Sequence, residues 1–125
     1  MTEQTKTVLV AGASGVIGQS VVEHFAGLGW RTIGVSRRAP KPAPAENYEH
    51  IGLDLTNAAD CRAAAERFAP VTHVVYAALF EKPGLVPGWY EQDQMQTNLR
   101  MLRNLLDPLE RHAKNLRHVT AAAGH

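Results

Sequence analysis

Apolar residues fall in short unbroken runs, separated by longer stretches in which they recur every three or four positions. Thr7-Val8-Leu9-Val10-Ala11 is apolar at nearly every position and stops at Gly12, as a strand buried on both faces should. From residue 14 to about 28 the spacing turns helical: Val16 or Ile17, Val21, Phe25 and Leu28 share a face, and Gly27 and Gly29 end the helix. Short second and third strands are expected over 32–35 and 49–53. Between them, Ala39-Pro40-Lys41-Pro42-Ala43-Pro44 must form an extended loop. Thr56 suits the N-cap of a helix over 57–68, with Cys61, Ala64 or Ala65, and Phe68 inward and Pro70 closing it. A fourth strand is expected over 72–78. Beyond a loop containing Pro83, Gly84, Pro87 and Gly88, a long helix begins near Glu91. Its stripe is Met95, Leu99, Leu102, Leu105 or Leu106, and Leu109, and Asp107-Pro108 should bend or restart it. A fifth strand is expected over 116–121.

Strands alternating with helices predict an α/β fold, a doubly wound parallel sheet with right-handed crossovers and strand order 3-2-1-4-5. A ligand crevice then opens at the carboxyl ends of strands one and four. The 125 residues suit one domain, spanning 1–125. With 45% hydrophobic and 20% charged residues the mixture is globular, and a formal charge of +1 argues against nucleic acid or an anionic membrane as main partner. Cys61 is the only cysteine, so no internal disulfide exists, and it suits a small buried apolar position. No stretch approaches the ~20 apolar residues of a membrane span. The polar start leads directly into a strand rather than a signal peptide, so a soluble, cytoplasmic protein is expected.

The turn after the first strand carries the candidate chemistry. In Gly12-Ala13-Ser14-Gly15-Val16-Ile17-Gly18, Gly12 allows a sharp turn off the strand. Gly15 lets backbone approach a pyrophosphate, and Gly18 lets the helix pack close to the sheet. Amides at the helix start then face the phosphates, where the helix dipole favours negative charge. A helix start that needs glycine only for packing is the plainer reading. The end of the second strand discriminates between cofactors. An NAD site places Asp or Glu there for the ribose hydroxyl, whereas this chain has Ser36-Arg37-Arg38. Two guanidiniums attract a 2′-phosphate and can grip it in a fork, so NADP(H) is the expected cofactor; a solvated basic loop is the alternative.

With these residues in place, the whole chain resembles the amino-terminal, Rossmann-type part of an extended short-chain dehydrogenase/reductase. Gly12 to Gly18 matches that family's G-x-x-G-x-x-G turn. Asp54-Leu55-Thr56 resembles its Asp-Leu-Ser/Thr element beside the adenine, and Ala77-Ala78 stands where the backbone runs along the ribose. The stretch from Asn98 to Leu106, with Asn104, resembles N-x-x-G-T-x-N-L-L but has Met101 and Leu102 at the glycine and threonine. Val35-Ser36-Arg37-Arg38, Thr72-His73-Val74-Val75-Tyr76 and Asn115-Leu116-Arg117-His118-Val119 are most similar to the progesterone 5β-reductase and iridoid synthase group. That resemblance implies NADPH-dependent reduction of an enone or carbonyl.

The implied cofactor-binding residues are Gly12, Ser14, Gly15, Val16, Ile17, Gly18, Ser36, Arg37, Arg38, Asp54, Leu55, Ala77 and Ala78. Asp54 serves equally well as a cap for the turn before Thr56. Asn98 could be an exposed polar position, and Tyr76 reads as core. The six histidines lack metal-ligand spacing and read as surface or loop residues. The group's lysine follows strand five in Q-T-G-x-K; here the matching stretch is Ala122-Ala123-Gly124-His125, where the sequence stops. The Ser-Ser of other extended members is replaced by Ala121-Ala122-Ala123. No catalytic residue and no metal site is therefore expected. Three readings stand: a truncated reductase, a free-standing NADP(H)-binding sensor or scaffold, or a structural fragment that binds nothing. A sheet interrupted after strand five should bare apolar surface near Val74 or Val75, so a homo-oligomer or a missing carboxyl-terminal part is expected to cover it.

Overall fold

The computed structural model describes residues 6–39, 46–78 and 87–121, the side chains of 87–94 excepted. The elements are β1 (Thr7–Ala11), α1 (Val16–Gly27), β2 (Arg31–Ser36), β3 (Tyr48–Gly52), α2 (Ala58–Ala63), a 3₁₀ turn (Ala65–Phe68), β4 (His73–Tyr76), α3 (Pro87–His112) and β5 (His118–Ala121). All five strands run parallel in the order β3-β2-β1-β4-β5. This is the expected Rossmann-type doubly wound sheet. The chain leaves β1 toward β2 and later steps the other way to β4, so the sheet divides at the β1–β4 boundary.

Right-handed crossovers place the helices on opposite faces. Leu9, Ile33, Ile51 and Val74 pack under α2, the 3₁₀ turn and α3, together with Cys61, Phe68, Leu105 and Leu109. Val8 and Val10 turn the other way and pack on Val22 of α1. Every residue of β1 is buried, which is why its sequence shows no polar alternation. No helix among the described residues is long and apolar enough to cross a membrane.

Several local expectations need correction. Helix α1 turns Gly18 and Val22 inward, with Val21 and Phe25 of the expected stripe packed against the same core, while Val16 is 85% and Leu28 60% exposed, so only the ends of that stripe are displaced. The close approach of Gly18 to the preceding turn sets this rotation. The helix over 57–68 is capped by Asn57, whose side chain accepts from the Asp60 N–H at 3.1 Å, rather than by Thr56. It also tightens into 3₁₀ form after Ala64. Helix α3 starts at Pro87, a favoured first helical residue, and continues through Pro108 without restarting. Its inner line is Met101, Leu105 and Leu109, spaced i, i+4, while Met95 is 68% and Leu99 50% exposed. The end of α3 bearing Met95 and Leu99 thus projects beyond the core. The proline-rich loop, apart from Ala39, and Pro83 and Gly84 lie outside the described residues.

Candidate functional site

The crevice forms where β1 and β4 end side by side. Gly12 takes φ +85°, a conformation that favours glycine, and its N–H bonds the Val35 carbonyl at 2.8 Å. A Cβ on Gly12 would lie 2.7 Å from the Ala78 nitrogen and 2.8 Å from the Ala77 carbonyl carbon. The glycine turn and the Ala77-Ala78 strand end therefore meet backbone to backbone. The Ala77 N–H also donates to the Ala11 carbonyl at 2.9 Å, joining the two strand ends. Gly18 is needed for a nearer reason than the sheet: its Cβ would collide with the Gly12 carbonyl.

Gly15 differs from both. Its φ of −78° and ψ of 169° are ordinary extended backbone, and an added Cβ would meet only the Gly12 oxygen, at 3.5 Å. Among the described residues nothing requires glycine here, and the space in front of it is open. Gly15 is also the N-cap of α1 and supplies no side-chain cap, and the first turn carries no acidic residue. Among the described residues the leading N–H groups of the helix thus have no side-chain acceptor, and the positive end of its dipole faces that space. Ser14, Val16 and Ile17 line the opening as exposed residues, and the Ser14 carbonyl accepts from Gln19 Nε2 at 3.0 Å. Two aliphatic side chains at a polar mouth offer an apolar cover for a ligand.

At the end of β2, Arg37 and Arg38 are exposed while Ser36 is buried. The Ser36 hydroxyl donates to the Arg38 carbonyl at 2.7 Å, so its proton is committed to shaping the arginine turn. Asp54 closes the turn into α2: its Oδ1 accepts from Thr56 N–H at 3.0 Å and Thr56 Oγ1 at 2.7 Å. These bonds, with a smaller contribution from the nearby Arg37 charge, hold the Asp54 pKa below its ordinary value. Its capping role is thus visible, and Arg37 and Asp54 face the same region. Leu55 lies in the core, and its carbonyl accepts from Asn104 Nδ2 at 2.8 Å. That bond gives Asn104 a structural purpose. Asn98 is half-buried and has a partner.

Tyr76 is buried as expected, its hydroxyl has no partner among the described residues, and burial pushes its pKa up to about 12. Among the described residues, no group of three or more His, Cys, Asp or Glu side chains converges as a metal site. The histidines are not all loop or surface residues. His50, His73 and His118 sit in strands, and the first two are half-buried. The sheet register, which aligns Ser36 with Gly52 and His50 with Gly34, brings His50 close to Ser36. Sequence reading missed this because it follows from strand pairing rather than from local spacing. The stretch 122–125, which carries the Q-T-G-x-K comparison, lies outside the described residues.

Comparison with known proteins places this geometry among relatives. The sequence profile of the NAD dependent epimerase/dehydratase family matches residues 8–123. A 3-oxo-Delta(4,5)-steroid 5-beta-reductase of Arabidopsis thaliana is 32% identical over 93% of this chain and 30% of its own length. An (S)-8-oxocitronellyl enol synthase of Nepeta cataria is 29% identical over 98% of this chain and 31% of its own. The chain thus spans about 30% of the length of these relatives. Among solved structures, yeast methylglyoxal/isovaleraldehyde reductase Gre2 complexed with NADPH shares the fold. Its TM-score is 0.76 at 16% identity, over 92% of this chain and 36% of that one. A short-chain dehydrogenase from Leptospira borgpetersenii with bound NAD+ gives 0.70 at 21% identity, over 86% and 46%.

Proposed function

The chain belongs to the NAD dependent epimerase/dehydratase family, and we propose that it is the NADP(H)-binding part of a reductase that reduces an enone or carbonyl. The observation that carries the reading is the space at Gly15, open among the described residues, in front of an uncapped helix start. Pyrophosphate fits there because the helix N-terminus supplies N–H donors and a favourable field. The adenosine end would extend toward β2 and Asp54. There Arg37 and Arg38 offer positive charge to a 2′-phosphate, and no carboxylate stands in the position that would accept the ribose hydroxyl of NAD. Ala77 and Ala78, fixed against Gly12, would present backbone to the remaining ribose. Bound there, the nicotinamide ring supplies the hydride chemistry. The residues named here bind and orient it, and no catalytic residue is assigned.

Replacing Arg37 and Arg38 together by alanine tests the reading. Each lost charge-assisted hydrogen bond should weaken NADP(H) binding by about 1.5–3 kcal/mol. NAD(H), which lacks the 2′-phosphate, should bind the variant nearly as it binds the parent chain. Equal weakening of both cofactors, measured by calorimetry, would mean the arginines do not read the phosphate.

A further inference from the structure

The arginine turn is held from outside its own strand. Ser36 Oγ lies 2.7 Å from the Arg38 carbonyl oxygen and 2.8 Å from His50 Nε2. A carbonyl can only accept, so the hydroxyl proton goes to Arg38, and Ser36 must accept from an N–H on His50 Nε2. The tautomer follows from this chain of bonds: His50 carries its proton on Nε2 and donates. Ser36 is nearly fully buried, and leaving its oxygen short of a partner would be costly. His50 belongs to β3, and Tyr48, two residues earlier on the same face, lays its hydroxyl where a Gly34 Cβ would stand. That face is therefore closely filled beneath the imidazole. Burial lowers the His50 pKa, with a hydrogen bond to Ser36 opposing and the Arg67 charge adding a smaller effect in the same direction. The neutral donor form is favoured accordingly.

We infer that His50 is a positioning residue for 2′-phosphate recognition: through Ser36 it holds the Arg37–Arg38 turn in the shape that grips the phosphate. It acts through Ser36 and the turn, and needs no contact with the cofactor itself. The inference rests on the NADP(H) reading above and adds a specificity determinant on a strand outside the glycine turn and the arginine pair. Its mark is an effect confined to the phosphorylated cofactor, because NAD+ offers the turn nothing to grip.

The test compares NADP+ and NAD+ titrations of the 125-residue chain with those of two variants. His50→Phe keeps a flat ring and removes the donor. It should weaken NADP+ about three- to tenfold, the size of one hydrogen bond, and leave NAD+ within about twofold. His50→Gln can present an N–H at similar reach and should restore NADP+ affinity to within about twofold of the parent. If His50→Phe does not fold, His50→Leu removes the donor with a smaller side chain and should show the same split. Unchanged NADP+ binding in the donor-free variant overturns the inference. So does proportional weakening of both cofactors, or failure of glutamine to restore binding. A parent chain with no preference for NADP+ would instead refute the cofactor reading itself, and is recognised before any variant is made.

Discussion

Gly15→Val separates the two tasks of the glycine turn. The backbone at Gly15, with φ −78° and ψ 169°, is a conformation valine adopts readily, and its Cβ would touch only the Gly12 oxygen at 3.5 Å. Valine is a poorer N-cap than glycine by roughly 0.5–1 kcal/mol. The stiffer unfolded chain returns an amount of similar size, about 0.4–1 kcal/mol. Stability should therefore change by less than about 1 kcal/mol, whereas binding should change far more. The isopropyl group would stand in the open space before the first turn of α1, where the pyrophosphate is proposed to sit. Losing two charge-assisted hydrogen bonds at the lower value of about 1.5 kcal/mol each gives about 3 kcal/mol, more than a hundredfold in affinity. Thermal unfolding and calorimetric titration with NADP+ read the two quantities separately. Gly18→Ala provides the contrast: its Cβ would run into the Gly12 carbonyl, so this smaller change should lower the unfolding temperature markedly. A folded Gly15→Val chain that binds NADP+ as the parent does would refute the placement of the phosphates.

Cys61 is fully buried, and burial, aided by Asp60 and Asp54, pushes its pKa up to about 11 from 9.0. Raised acids favour the folded state in their neutral form, so this contribution is intact below about pH 9 and is lost as pH rises toward 11. Tyr76, pushed up to about 12, adds to the same trend at higher pH. Urea midpoints should hold steady near neutrality and fall above about pH 9; a flat profile would contradict the burial argument. A second expectation concerns assembly. Val74 is covered by the α3 face, but Val75 is only half-buried, all of β5 is exposed, and Val119 is 45% exposed. Among the described residues β5 pairs only with β4, leaving a strand edge beside apolar surface. Light scattering over a dilution series should show self-association, and a monomer at every concentration would refute it.

The centre of the sheet was readable in the sequence because β1 and nearly all of β2 are buried on both faces. Val8-Leu9-Val10 and Val74-Val75 are continuous apolar runs, and the alternation with helices leaves few topologies. The glycine turn was readable because three positions at fixed spacing follow a strand and open a helix. What remained hidden depends on contacts that hydrophobic spacing does not encode. In α1 the approach of Gly18 to Gly12 turns Val22 inward beside Val21 and Phe25, and leaves Val16, Ile17 and Leu28, which hydrophobic spacing also places on that stripe, exposed. The capping by Asn57 in place of Thr56 arises because Asp54 already claims the Thr56 N–H and hydroxyl. The His50–Ser36 bond required the β2–β3 register, which no local pattern specifies. For the same reason Leu55, adjacent to Asp54 in sequence, turns into the core and leaves its carbonyl to Asn104.

On the proposed reading, the glycine turn and the arginine pair together select a 2′-phosphorylated dinucleotide. Paired calorimetric titrations of the unmodified chain with NADP+ and NAD+, in one buffer at one ionic strength, test it most directly. One charge-assisted hydrogen bond to the phosphate, about 1.5–3 kcal/mol, predicts NADP+ tighter by at least about tenfold. A preference carried by exposed guanidiniums should shrink as salt is raised. Equal affinities, a preference for NAD+, or no binding of either cofactor would contradict the account.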